Sequence, residues 1–157
     1  MSSLHDPGQS AQLRQAVRRL EVATRGRGLV EITGPVADWS AAQGLETGLL
    51  TVFCRHTSAS LLIQENADPD VQRDLEAFFE RIAPEGGPYV HQDEGPDDMP
   101  AHIRTALTQN QLSVPLLDGR LALGTWQGIY LFEHRRRPHR REVVLHLLGQ
   151  QGGTGSW

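Results

Sequence analysis

The sequence predicts an α+β fold built on a largely antiparallel sheet, and three observations lead there. Runs of strand length, β-rich or alternating apolar with polar, recur from Val17 to Leu148, and most are joined by short turns. About three helix-like stretches are inserted among them rather than after every strand, which argues against a doubly wound parallel sheet. The chain has 157 residues, enough for one core and too few for a barrel of eight strand–helix units or a two-domain enzyme.

The first structured stretch reads as a hairpin. Val17 to Ala23 alternates imperfectly, Arg25-Gly26-Arg27-Gly28 supplies a turn, and Leu29 to Thr33 returns. Pro35 suits a first helical turn and opens a short helix through Ala42, which Gly44 closes. Gly48 to Arg55 and Ala59 to Gln64 are apolar strand runs. His56-Thr57-Ser58 joins them, so a histidine and two hydroxyls lie beside the central sheet.

Asp68 is a good helix cap, Pro69 fits the first helical position, and Asp70 favours the positive helix end. Val71, Leu75, Phe78, Phe79 and Ile82 then form one apolar face, until Pro84 and Gly86-Gly87 stop the helix. Pro88 to Pro100 is polar, acidic and aperiodic, a loop of the length that is usually functional or disordered. Asp98-Met99-Pro100 introduces a helix over Ala101 to Gln109. Leu112 to Leu116 is a strand, Asp118-Gly119 a hairpin turn and Leu121 to Leu123 its return. Trp126 to Glu133 and Glu142 to Leu148 make the last pair of strands. Residues 1–12, with His5, and 150–157, with Trp157, read as flexible tails around one domain at 13–149.

Composition excludes several chemistries. All fifteen basic residues are arginine, so Schiff-base, pyridoxal phosphate and Walker-A lysine chemistry are absent. The single cysteine, Cys54, sits inside an apolar strand and reads as buried and inert; no disulfide or cysteine-rich zinc site can form within the chain. No apolar run approaches a membrane span. The net charge of −4 argues against nucleic acid as the main partner. A soluble cytoplasmic protein acting on a small molecule is expected.

Among the seven histidines, His56, His91 and His102 come from three different elements. They suit an open metal site of the kind zinc favours, with Asp93, Glu94, Glu65 and Thr57 as supporting groups. Three unrelated histidines, each with an ordinary hydrogen bond, fit the spacing as well. Glu65-Asn66, between a strand and the capped helix, offers a base or cation ligand and an amide, or simply a turn. Gly124-Thr125-Trp126-Gln127-Gly128 suggests a bulge in which Trp126 stacks on a flat ring and Gln127 hydrogen-bonds it, or a core tryptophan. His134 to Arg141, HRRRPHRR, reads as a solvated hairpin tip or as a phosphate-binding cluster of five arginines.

Three blocks of the sequence resemble the YjbQ family, known as secondary thiamine-phosphate synthase. They are HTSASLLIQENADPDVQRDLE from His56, HQDEGPDDMPAHI from His91, and VPLLDGRLALGTWQGIYLFEHRRRPHRR from Val114. The blocks lie in family order within Val17 to Leu148. The resemblance implies a sheet curled into a pseudo-barrel and a homotrimer with sites near subunit boundaries. It places His56, His91 and His102 at a metal or anion site, the metal being a divalent ion, zinc-like or magnesium. Glu65, Asn66, Asp93, Trp126, Gln127 and Glu133 also fall at motif positions, whereas Gln92 is a mild departure.

The implied reaction joins hydroxymethylpyrimidine diphosphate to thiazole phosphate and releases diphosphate. Glu65, Asp93 and Asn66 are then the catalytic candidates. Trp126, Gln127, Thr57, Arg120 and Glu133 are the substrate-binding ones, with Arg120 or Arg135 countering the leaving diphosphate. Diphosphate chemistry usually runs on magnesium held by carboxylates, whereas three histidines prefer zinc. That mismatch brings forward a metal-dependent hydrolase of a small phosphorylated or amide metabolite. A non-catalytic trimeric module that binds small anions is the third expectation.

Overall fold

A computed structural model describes residues 12–152 of the chain. Alternation decides which side of each strand faces inward. In β5 (Gln111–Leu117) Leu112, Val114 and Leu116 are buried, and in β8 (Arg140–Gln150) Val143, Leu145 and Leu147 are, with their neighbours more exposed. The remaining elements are β1 (Leu13–Ala23), β2 (Gly28–Glu31), α1 (Thr33–Ala42), β3 (Thr47–Cys54), β4 (Ala59–Glu65), α2 (Pro69–Ile82), α3 (Asp98–Leu107), β6 (Arg120–Leu121) and β7 (Gln127–Glu133).

The strands form a five-stranded sheet in the order β1-β8-β3-β5-β6 and a three-stranded sheet in the order β2-β7-β4, every pair antiparallel. The sheets curl towards each other as a half-barrel. Leu61 of β4 bridges to Gln109 just ahead of β5. Leu50, Val52, Val114, Leu145 and Leu147 of the larger sheet pack there with Leu61, Ile129 and Leu131 of the smaller. Phe79 of α2 meets Phe132 edge-on, with ring centroids 5.4 Å apart, on the far side of β7. Covered on both faces, β7 is buried from Gly128 to Glu133. The expected α+β class, the three helices and the curled sheet are all present.

The helix expected from its cap is α2: Asp68 Oδ1 accepts from the Asp70 N–H at 2.9 Å, with Pro69 in the first turn. The turn at Asp118-Gly119 joins β5 to β6 with both residues at positive φ, 51° and 78°, the geometry of a tight hairpin. α1 begins at Thr33 and α3 at Asp98, two and three residues before the expected starts. Pro35 and Pro100 thus sit inside first turns, where a missing N–H costs no helical bond.

Two expected pairings are corrected. β1 and β2 do not form a hairpin: β1 pairs with β8, and β2 pairs with β7 in the other sheet. Gly26 and Gly28, at φ 132° and 136°, swing the chain between sheets rather than fold it back. Likewise β7 and β8 belong to different sheets, so His134 to Arg141 is a crossover and not a solvated hairpin tip. His134 and Arg141 are buried in it. The return strand β6 is also shorter than expected, Arg120–Leu121.

β1 starts at Leu13 and β8 reaches Gln150. The tail expectations at 1–11 and 153–157, with His5 and Trp157, lie outside the described residues. No helix among the described residues is long and apolar enough to cross a membrane.

Candidate functional site

Residues four apart on a helix stand one above the other, which puts Asp98 and His102 on one face of α3. The loop before α3 brings His91 to the same place. That loop is braced from within: the Tyr89 hydroxyl donates to Pro84 O at 2.7 Å, and Gln92 Nε2 donates to Tyr89 O at 2.8 Å. Asp98 Oδ2 lies 2.7 Å from His91 Nε2 and 3.0 Å from His102 Nε2. One ligand atom from each residue lies within 4.8 Å of the others.

The hydrogen bonding of His102 defines what this cluster accepts. Its Nδ1 is 3.1 Å from Thr57 O and its Nε2 is 3.0 Å from Asp98 Oδ2. Both neighbours are oxygen acceptors, so each ring nitrogen faces an oxygen and the Nε2 side, shared with Asp98, is where a cation would sit. A donor bond from Nδ1 to a backbone carbonyl is the arrangement that aims the Nε2 lone pair at a metal. Two imidazoles and one carboxylate with open positions suit zinc or a neighbouring transition metal better than magnesium, which prefers oxygen ligands.

Asp98 is 2% exposed, and its other oxygen accepts from Arg135 Nη1 at 2.6 Å. Burial pushes its carboxyl upward, but the hydrogen bond from His91 and the charges of His102 and Arg135 outweigh burial and hold it below the ordinary range. Arg135 is fixed by Asp97 Oδ2 at 3.0 Å and by Glu94 O at 2.9 Å. Beside His91 opens a pocket of about 280 Å³, walled by Tyr89, Gln92, Pro96 and Met99.

The other predicted residues divide. Thr57 belongs to the cluster through its carbonyl. His56 does not join it: its Nε2 accepts from the Glu142 N–H at 2.8 Å, occupying a lone pair a metal would need. Burial, followed by the charge of Arg141, lowers its pKa. Asp93 is exposed on the loop and lines a cavity with Arg135, Arg136 and Arg137. Glu65, Asn66, Trp126 and Gln127 gather at the opposite end of β4, where Glu65 pairs with Gln127 and the Asn66 N–H donates to Trp126 O at 3.1 Å. Six residue steps along β4 separate the two ends, roughly 20 Å.

Trp126 is 63% exposed, so its ring is open for stacking. The Gln127 side chain is used locally, accepting from the Gly124 N–H at 2.8 Å. Arg120 is exposed on β6 and makes no side-chain hydrogen bond among the described residues.

Glu133 is fully buried and its carboxylate is committed to neighbours. It takes Arg141 Nε at 2.8 Å and Nη2 at 2.6 Å, and it accepts from the Thr24 hydroxyl at 2.9 Å; His139 Nδ1 stands 3.0 Å away. Asp98 is not among the expected site residues, although the spacing Asp98-x-x-x-His102 carries the signal that places both on one helix face. Arg135, expected to counter the leaving diphosphate, donates to Asp97 and Asp98. His134, buried against the Ser60 hydroxyl at 2.8 Å and pushed down to about 3 by burial and then by Arg104, Arg141 and Arg27, had no signal in the sequence.

The fold and this cluster define a curled α+β protein with an open site of two histidines and one carboxylate. The family model of the UPF0047 protein YjbQ-like group matches residues 18–150, and the chain belongs to that family. A UPF0047 protein of Synechocystis is 53% identical over 142 residues, covering 90% of this chain and 97% of that one. The YjbQ protein of Salmonella typhimurium is 42% identical over 134 residues, covering 85% and 97%. Among solved structures, a conserved hypothetical protein of Thermus thermophilus is 39% identical, with TM-score 0.71, over 82% of this chain and 97% of that chain. A YbjQ-like protein of Sulfolobus solfataricus is 21% identical, with TM-score 0.82 over 88% and 100%, a likeness of fold alone.

Proposed function

We propose that the chain is a metal-dependent cytoplasmic enzyme acting on a small phosphorylated molecule, with His91, His102 and Asp98 holding a zinc-like divalent ion. The observation that carries this is the convergence of the three ligand atoms within 4.8 Å around a histidine whose second nitrogen faces a backbone carbonyl. When bound, such an ion supplies Lewis acidity at a phosphoryl oxygen and a reactive water near neutral pH. The chain's own part is to orient: Thr57 O sets the tautomer of His102, and Arg135 fixes the free oxygen of Asp98. The pocket beside His91 seats the organic part of the substrate.

Hydrolysis is the reaction this donor set favours. The transferase reading, joining hydroxymethylpyrimidine diphosphate to thiazole phosphate, draws on the resemblance and on the exposed Trp126 as a stacking surface. In one chain Trp126, Glu65 and Asn66 lie a strand length from the histidines, so they join the site only across a subunit boundary. A homotrimer is supported by the uncovered face of the larger sheet. There Val17, Leu49, Phe53, Leu117 and Leu148 are 43% to 63% exposed on neighbouring strands, a row of apolar side chains of the kind that marks a contact between proteins.

The experiment is elemental analysis of purified protein, followed by two assays with and without chelator: diphosphate release from the two thiamine precursors, and phosphate release from small phosphomonoesters. Chelator-sensitive turnover of a single phosphomonoester supports the hydrolase. Diphosphate release that needs both precursors supports the transferase. Protein that purifies without metal, and binds none when metal is supplied, sinks the proposed site.

A further inference from the structure

α3 carries a second polar side chain on a different face. Arg104 stands two residues after His102, a rotation of about 200° on an α-helix, and it is 1% exposed. Its Nε and Nη1 are buried without a hydrogen-bond partner among the described residues. The ion pair it makes there, Nη1 to Glu76 Oε2, spans 3.6 Å. Glu76 Oε1 and His134 Nδ1 are buried and unpartnered as well. A guanidinium stays charged at physiological pH, and a buried charge without hydrogen bonds is strongly unfavourable. Among the described residues Glu76 reaches Arg104 only as an ion pair, and no acceptor completes a hydrogen bond to Nε or Nη1.

Arg104 forms part of the wall of a cavity of about 360 Å³, shared with Arg27, Arg136, Glu80, Pro84 and Glu85. The mouth already shows what it recognises. Glu85 Oε1 accepts from Arg27 Nη2 at 2.6 Å and from Arg136 Nε at 2.6 Å, while Glu85 Oε2 takes Arg136 Nη2. The two outer arginines therefore hold the Glu85 carboxylate, whereas the deep one has only its 3.6 Å ion pair with Glu76 and no hydrogen bond at Nε or Nη1. Glu80 sits towards water, its side chain 63% exposed.

We propose that this cavity is a second ligand site, for a phosphate-type oxyanion, with Arg104 at its floor and Arg27 and Arg136 at its mouth. Inorganic phosphate and the head of a phosphomonoester share the required chemistry. Either offers several oxygens to more than one guanidinium, where the single carboxylate of Glu85 reaches only the outer two. The site is independent of the histidine cluster, because Arg104 and His102 project from different faces of α3.

The test uses the full-length protein with inorganic phosphate and, separately, phenyl phosphate, against sodium chloride at matched ionic strength. Binding is read by calorimetry and by the thermal midpoint. Wild type should bind and gain midpoint with ligand concentration. Arg104→Met, made together with Glu76→Gln so that no carboxylate is left without its ion-pair partner, should fold and should bind at least about tenfold more weakly. Arg27→Met should weaken binding while leaving the floor intact, and His91→Ala/His102→Ala should bind as wild type does. Tighter binding of the ester assigns the site to phosphomonoesters, and equal binding assigns it to phosphate. Binding of neither, undiminished binding by Arg104→Met/Glu76→Gln, or loss only in the histidine variant overturns the proposal.

Discussion

Asp98 Oδ2 stands 3.0 Å from His102 Nε2, one turn further along α3, and the same oxygen is 2.7 Å from His91 Nε2. One buried carboxylate thus organises two imidazoles that the chain brings from a helix and a loop.

Asp98→Asn keeps the shape of that carboxylate and removes its charge. Metal affinity should fall by at least about tenfold, with the circular dichroism spectrum unchanged. Competition with a chromogenic chelator measures it. Equal affinity in wild type and variant would remove Asp98 from the site.

Glu133 and Arg141 form a pair withdrawn from water, so losing one partner strands the other. Glu133→Ala should cost about 3–5 kcal/mol in urea unfolding, whereas Glu133→Leu with Arg141→Met should recover most of it. A small loss in the single variant would show that water reaches Arg141.

His134 makes stability depend on pH. Its folded pKa of about 3 lies below the ordinary 6.5, so the unfolded chain takes up a proton first as pH falls. Stability that is full above 6.5 is lost from there down towards 3, by up to about 1.4 kcal/mol per pH unit. Urea midpoints at pH 7, 5.5 and 4.5 should fall more steeply for wild type than for His134→Gln. Parallel slopes would contradict the burial of a neutral ring.

A charge on the open sheet face tests the assembly. Leu49→Glu with Phe53→Glu, both facing outward on β3, should reduce the mass seen by light scattering from about three times 17.4 kDa to a single chain. A wild type that is already monomeric refutes the trimer and strands Trp126 away from the histidines.

Local chemistry was legible wherever one residue carries its own constraint. Asp68-Pro69 starts α2 and Asp118-Gly119 turns β5 into β6, because a cap and a positive-φ pair act within a few residues. Alternation marked β1, β2, β7 and β8 as strands but assigned the wrong partners. A period of two says which side is apolar and nothing about which distant strand covers it. For the same reason His91 and His102 were legible as candidate ligands, and His56 was grouped with them although it stands apart from their cluster. Their residue types are visible in the sequence, but the Glu142 N–H that takes His56 Nε2 arrives 86 positions later on β8.

The sequence by itself determined the α+β class, the places of the helices and most strands, and the family, since these rest on local pattern and on motif blocks. Tertiary structure alone decided that β1 and β2 enter different sheets. It also decided that Asp98 rather than His56 stands with His91 and His102, and that Arg104 is buried with an ion pair to Glu76 but no hydrogen bond at Nε or Nη1. Those outcomes depend on which surfaces exclude water together, a property of contacts between remote residues that no single segment encodes.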